Sequence, residues 1–204
     1  MQNISPNTLN NQIQETKDLN KTVTITLHME QISYNILSLI QKEDIHSREL
    51  AKRLKTNHMT ISRRIKKLEE ENIIDFKSEG KNKVYFLKKT IEAREYIKIV
   101  EHAKLINIIK KYPRLRKIVE KIQSKNVELA ILFGSYSKGT ENKNSDFDIY
   151  INTTNRKIKT ELELIDSKIS VKIGEFNKEN LLIKEIIKNN IIIKGVEKYY
   201  ELIH

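Results

Sequence analysis

The stretch LFGSYSKGTENKNSDFDIYI, residues 132–151, constrains the fold more than any other part of the chain. An apolar run leads into Gly134 and Ser135, and after ten intervening residues Asp146 and Asp148 open a second apolar run. Residues i and i+2 of a strand point to the same side, so the two carboxylates should face one site. The spacing predicts a strand, a glycine turn with a short helix, and a second strand that carries paired acidic side chains.

Those two carboxylates predict a magnesium site. Carboxylates that face one site repel each other unless they are protonated or share a cation, and oxygen-only ligation suits Mg²⁺. Gly134 permits a tight turn with close backbone approach, and the Ser135 hydroxyl with the following helix N-terminus can bind phosphate oxygens. A cation held by Asp146 and Asp148 would then bridge those phosphates, as metal-dependent nucleotidyl transfer requires. Both aspartates are therefore the candidate catalytic residues.

The same stretch resembles the DNA-polymerase-β-like nucleotidyltransferase superfamily, and most closely its minimal, stand-alone members. The Gly-Ser turn, the ten-residue spacing and the Asp-x-Asp pair match, as do Gly139 and Ser145. The resemblance runs from about Val127 to Gly195 and implies a nucleoside triphosphate bound with magnesium. The residues it assigns to this site are Gly134, Ser135 and Ser145 for the nucleotide and Asp146 and Asp148 for the metal.

One position departs from the pattern of the active members. They carry a third carboxylate on the next strand, but the corresponding segment here reads KISVKIG and presents Ser170 and Lys172 on one face. Lys172 places a positive charge where a metal is wanted, so we expect it to bind a phosphate or to replace a second cation. Glu175 lies just beyond the strand and would substitute only if Gly174 breaks the alternation. Nucleotide binding is therefore better supported than catalysis.

The first half of the chain carries a second pattern, in the order helix, helix, turn, helix and hairpin. Ile61, Ile65 and Leu68 mark one face of the third helix. Two short apolar runs, 73–77 and 84–88, flank the turn formers of SEGKNK and predict the hairpin.

This segment is also strongly basic. Seven Lys or Arg and no acidic residue lie between Ala51 and Leu68. It resembles the winged-helix region of MarR-like and ArsR-like transcriptional regulators, which implies that the third helix enters the major groove of double-stranded DNA. Winged helices also serve as protein-docking modules, so that alternative stays open. The residues expected to contact bases or phosphates are Asn57, His58, Thr60, Arg63, Arg64 and Lys67 on or beside the helix, and Lys81 and Lys83 in the hairpin.

Composition agrees with a polyanionic partner without proving one. The chain has 38 Lys and Arg against 27 Asp and Glu, a formal charge of +11. Such a charge suits nucleic acid, although a chain rich in Lys, Ile and Asn can owe it to an AT-rich genome. The absence of cysteine excludes disulfides, thiolate zinc sites and cysteine nucleophiles. No apolar run approaches the roughly 18 residues of a membrane-spanning helix, so we expect a cytoplasmic protein without a membrane partner.

These patterns predict an α+β chain of four parts. They are a flexible N-terminal arm at 1–27, a winged helix-turn-helix domain at 28–89, linking helices at 90–123, and a minimal nucleotidyltransferase domain with a mixed sheet at 124–204. The apolar positions of the long linking helix spread over more than one face. This spread favours a homodimer through that helix over a plain connector.

Two functions of different class fit this organisation. One is an enzyme that transfers a nucleoside monophosphate to a hydroxyl of a small molecule or protein, since some minimal members are antitoxins that nucleotidylate a partner toxin. The other is a transcriptional regulator whose degenerate nucleotidyltransferase domain senses a nucleotide or only mediates contacts. The missing third carboxylate favours the regulator, while Asp146 and Asp148 favour at least metal–nucleotide binding. A toxin–antitoxin scaffold without DNA contact is a third alternative.

Overall fold

The computed structural model describes residues 30–203, which form two compact units divided in sequence between Val100 and Glu101. The predicted arm at residues 1–27 lies outside the described residues. Among residues 30–203 no helix is long and apolar enough to cross a membrane.

The first unit is built of helices and a small antiparallel sheet. Its elements in chain order are α1 over residues 30–40, β1 (Ile45–His46), α2 (Ser47–Arg53), α3 (His58–Glu70), β2 (Ile74–Glu79), β3 (Asn82–Leu87) and the start of α4 (Ile91–Lys111). The strands lie in the order β1-β3-β2. The two-residue β1 pairs with β3 on the side away from β2. This arrangement confirms the predicted helix-turn-helix with a hairpin.

Helix α3 owes its position to its apolar face. Ile61, Ile65 and Leu68 are buried, as their spacing of four and three residues predicts. The helix begins where the Asn57 side chain accepts a hydrogen bond from the Met59 backbone N–H at 2.7 Å. This cap satisfies one of the backbone donors that the first turn leaves without a helical partner.

The second unit is a mixed sheet with helices on both faces. Its elements are the end of α4, α5 (Leu115–Gln123), β4 (Ala130–Phe133), α6 (Gly134–Lys138), β5 (Phe147–Asn152), α7 (Arg156–Glu163), β6 (Ile169–Gly174), α8 (Leu181–Lys188), β7 (Ile191–Lys194) and α9 (Val196–Ile203). The strand order is β6-β5-β4-β7; β5 and β6 are parallel, while β4 is antiparallel to both of its neighbours. This agrees with the predicted α+β class and mixed sheet.

Alternation along the strands divides the core of this unit in two. Ile149 and Ile151 face a cluster that includes Leu162 of α7. Tyr150 points to the opposite face and packs in a second cluster that includes Ile186 of α8. Helices cover both faces of the sheet, and the predicted site lies where β4 ends and β5 begins.

Candidate nucleotide and DNA sites

The two aspartates of the Asp-x-Asp motif lie at the start of β5. Asp146 immediately precedes the strand and is exposed, while Asp148 is its second residue and is partly buried. Asp148 pairs with Phe133, the last residue of β4, on one side and with Ser170 of β6 on the other. This register brings Asp148 next to the turn that follows Phe133.

Gly134 makes that turn and leaves room for the Asp148 carboxylate. Its φ is +72°, in the left-handed region that favours glycine. A Cβ atom at this position would lie 2.4 Å from Asp148 Oδ2 and 3.2 Å from its Cγ. Ser135 is the next residue, in the five-residue helix α6. The missing side chain of Gly134 is therefore what allows the backbone of the turn to approach Asp148.

Asp148 lies near a second carboxylate, that of Asp146, and near the ammonium of Lys172. Burial raises the pKa of Asp148, and the neighbouring charge of Asp146 raises it further, while Lys172 and Ser170 act in the opposite direction. A divalent cation would relieve the repulsion between the two carboxylates. In proteins Mg²⁺ is commonly held by one or two carboxylates together with substrate phosphates, and this pair fits that requirement. Among residues 30–203 no group of three or more His, Cys, Asp or Glu side chains could hold a metal.

Strand β6 presents a hydroxyl and an ammonium beside the aspartates, without a carboxylate. Ser170 lies opposite Asp148, and Lys172 lies opposite Tyr150 and is exposed. Glu175, the possible substitute, follows the end of β6 and is exposed. Its charge adds to burial in raising the pKa of Tyr150 to about 12, which associates it with Tyr150 rather than with Asp148. Alternation along the sequence had predicted that Ser170 and Lys172 share one face of β6 and that Glu175 lies just beyond the strand.

Hydrogen bonds fix the turn and the loop that follows it. The single hydroxyl proton of Ser137 is shared between the carbonyl oxygens of Gly134 at 2.9 Å and Asn189 at 3.1 Å. Ser145 Oγ accepts from the backbone N–H of Asn142 at 2.9 Å, which closes the loop just before Asp146. Ser145 therefore serves the loop in addition to any part in nucleotide binding.

Glu141 ties the same loop to the end of α4. Its Oε1 accepts hydrogen bonds from the Tyr112 hydroxyl and from Lys111 Nζ, the latter at 2.8 Å. These hydrogen bonds lower the pKa of Glu141 to about 2, and the bond from Lys111 has the largest effect. Sequence patterns could not predict this contact, because the partners are 29 and 30 residues apart.

In the first unit, the prediction that Arg64 faces DNA is wrong. Arg64 is only 6% exposed. Its Nε donates to Ser33 Oγ at 2.9 Å and its Nη2 lies 3.1 Å from Glu30 Oε1. The residue lies at the edge of the buried face of α3, where the guanidinium reaches partners on α1. Its neighbour Arg63 is exposed.

Several of the other side chains predicted to contact DNA also contact residues of their own unit. Asn57 caps α3, and His58 Nε2 lies 3.1 Å from Ser47 Oγ. Lys67 is 3.4 Å from both Glu30 and Glu71, and Lys83 Nζ lies 3.5 Å from the centre of the Phe76 ring. Thr60 is partly buried, whereas Lys81 is exposed. Sequence reasoning omitted Met59 and Lys66, which are exposed on α3 and lie off its apolar face.

Two family descriptions match separate parts of the sequence. Residues 29–75 match a winged helix-turn-helix DNA-binding domain, and residues 115–198 match a polymerase beta nucleotidyltransferase. The chain joins a winged helix-turn-helix domain to a nucleotidyltransferase domain. The first match contains α3, and the second contains the whole stretch from the glycine turn to the Asp-x-Asp pair. A comparison of the nucleotidyltransferase and winged-helix sequence with curated proteins found no match.

Several solved structures resemble parts of this two-domain chain. The transcriptional repressor BigR from Xylella fastidiosa is 16% identical, with 45% of this chain and 91% of BigR covered and a TM-score of 0.32. The adhesin competence repressor AdcR from Streptococcus pyogenes is 18% identical, with 53% and 92% covered and a TM-score of 0.33. A toxin–antitoxin with AMP-PNP is 20% identical, with 49% and 77% covered and a TM-score of 0.31. The domain assignment rests on the two sequence matches.

Proposed function

We propose that this protein is a DNA-binding transcriptional regulator whose nucleotidyltransferase domain binds a magnesium–nucleoside triphosphate. Asp146 and Asp148 would hold the cation, and Gly134 and Ser135 the triphosphate, with Lys172 on a further phosphate. When bound, Mg²⁺ would offset the negative charges of the phosphates and of the two carboxylates. We keep the domain bounds 28–89, 90–123 and 124–204 as part of this proposal.

The close approach of Gly134 to Asp148 is the observation that supports nucleotide binding. A side chain at residue 134 would collide with the Asp148 carboxylate, with its Cβ only 2.4 Å from Oδ2. Phosphate oxygens bound at the turn would therefore lie within reach of a cation on Asp148. Burial and the charge of Asp146 raise the pKa of Asp148, and a divalent cation would offset the same repulsion between the two carboxylates.

Asp148→Asn is expected to weaken binding of magnesium ATP at least tenfold, because it removes one of two cation ligands while nearly preserving shape. Isothermal titration calorimetry of the full chain with each of the four ribonucleoside triphosphates, with Mg²⁺ or with EDTA, measures this loss. Glu175→Gln removes an exposed carboxylate beyond β6 and should bind like the wild type. Equal affinity of the wild type and Asp148→Asn, or failure to bind any of the four nucleotides, would contradict the proposal.

Transfer of a nucleotide to an acceptor is the second candidate function, and Ser170 and Lys172 favour binding without transfer. A two-metal transfer needs carboxylates around both cations, whereas β6 offers a hydroxyl and an ammonium at this place. In the same protein preparations, α-labelled triphosphates with Mg²⁺ and cell extract should leave no more label on protein or small molecules than the extract alone does. Label transfer that disappears in Asp148→Asn would identify an enzyme and overturn this preference.

We also propose that the chain forms a homodimer through its linking helices. Ile91 and Ile99 lie in the part of α4 that belongs to the first unit, and they are 66% and 45% exposed. Exposed apolar residues on one element are common where a partner packs. Sedimentation velocity at micromolar concentration should give a dimer that Ile99→Glu converts to a monomer, and a monomeric wild type would contradict the proposal. The cytoplasmic location and the hydroxyl acceptor stay predictions.

A further inference from the structure

Met59 is a large apolar side chain in the first turn of α3 and is 61% exposed. It lies away from the buried face formed by Ile61, Ile65 and Leu68. Residues three and four apart on a helix are neighbours, so Met59 shares its outer face with Arg63 and Lys66, both exposed. An apolar side chain thus lies at the start of an otherwise basic surface.

The polar side chains next to Met59 are already engaged. The Asn57 side chain accepts a hydrogen bond from the Met59 backbone N–H at 2.7 Å. His58 Nε2 lies 3.1 Å from Ser47 Oγ, the first residue of α2. Thr60 is partly buried. Of the residues from 57 to 60, Met59 is therefore the one whose side chain is both exposed and without a hydrogen bond to make.

We propose that Met59 packs on the 5-methyl group of a thymine in the major groove, so that it selects a T·A pair at one position. This inference rests on the DNA-binding part of the proposed function. The N-terminal residues of a recognition helix approach base edges, and thymine alone among the four bases carries a methyl group there. A flexible, polarisable thioether adapts well to such a small apolar group. Arg63 and Lys66 would contact flanking phosphates, which fixes the helix without reading sequence.

The test replaces thymine with 2′-deoxyuridine, which keeps the base pair and lacks only the methyl group. Duplexes are first selected from a random-sequence pool with the full-length wild type, and each thymine of the selected duplex is then replaced in turn. At one position the replacement should weaken wild-type binding about fourfold, the effect of burying one methyl-sized group. Met59→Ala should bind the thymine and uracil duplexes equally.

Two matched variants separate base reading from general affinity. Met59→Leu keeps an apolar side chain and should retain the difference between thymine and uracil. Lys66→Ala should weaken binding of both duplexes equally. It should also make the slope of log binding constant against log salt concentration less steep by about one. Because Met59 and Lys66 are largely exposed, thermal unfolding of both variants should match that of the wild type.

The outcomes distinguish this inference from the function on which it rests. If the wild type binds no duplex at low salt, DNA binding itself fails and the inference falls with it. If the wild type binds but no thymine replacement weakens binding, or if the loss persists unchanged in Met59→Ala, DNA binding stands and the role of Met59 is overturned.

Discussion

Gly195→Ala is expected to lower the free energy of unfolding of the nucleotidyltransferase domain by about 4 kcal/mol or more, which few single substitutions do. Gly195 connects β7 to α9 with a φ of +81°. An added Cβ would lie 1.9 Å from the carbonyl oxygen of Glu128 and 3.3 Å from the Cα of Leu129. These are backbone atoms that lead into β4, and the Leu129 side chain is fully buried. Relief of the collision would therefore require movement of the central sheet.

Gly139→Ala provides the matched control for this prediction. Gly139 has a φ of +71°, but nothing lies within 4 Å of an added Cβ. Only the left-handed backbone then opposes alanine, which costs roughly 1–2 kcal/mol. Urea unfolding of both variants, followed by far-ultraviolet circular dichroism, measures the difference. Equal losses at the two glycines would show that the contact with Glu128 is not rigid.

Arg64→Ala is expected to destabilise the winged-helix domain by about 3 kcal/mol, because it leaves a buried polar partner behind. Arg64 is 6% exposed and Ser33 is 1% exposed, so Ser33 would lose its hydrogen bond without gaining water. Glu30 keeps Lys67 at 3.4 Å, so most of the cost falls on Ser33 and on the vacated volume. DNA binding by this variant should fall together with its thermal stability.

Arg63→Ala separates DNA contact from stability at the adjacent position. Arg63 is exposed, and substitution of a surface residue usually changes stability by less than about 0.5 kcal/mol. DNA affinity should nevertheless fall, and the slope of log affinity against log salt concentration should become less steep by about one. Thermal unfolding and DNA titrations at several salt concentrations measure the two effects. If Arg63→Ala unfolds as easily as Arg64→Ala, the assignment of the two side chains to opposite environments is wrong.

The sequence predicted the parts of the fold that depend on short spacings. Asp148 and the apolar residues on either side of it follow the two-residue period of a strand, so their opposite orientations could be inferred from order alone. The face of α3 formed by Ile61, Ile65 and Leu68 follows the helical period in the same way. The strand β7 was not predicted, because a run of three isoleucines is too short to distinguish a strand from a helix.

The parts that could not be predicted depend on partners distant in the chain. Arg64 lies beside the apolar face of α3, and helical geometry allows it to be either buried or exposed. Ser33 and Glu30, which decide the matter, are 31 and 34 residues away. The position of Asn57 before α3 suits either a helix cap or a residue that reads bases. Its hydrogen bond from the Met59 backbone N–H favours the role of a cap. The helical period alone predicts that Met59 lies away from the buried face of α3, whereas the basic composition of the segment indicates only its charged residues as DNA contacts.

The bonds of Glu141 have a consequence for acid tolerance. Because Lys111 and Tyr112 lower its pKa from 4.5 to about 2, the carboxylate stabilises the fold above pH 4.5 and loses that contribution progressively as pH falls from 4.5 to about 2. At about pH 4 an ordinary glutamate is largely protonated, whereas Glu141 would still be ionised. The loop before Asp146 would therefore stay bonded to the end of α4 at a pH that protonates an ordinary exposed glutamate.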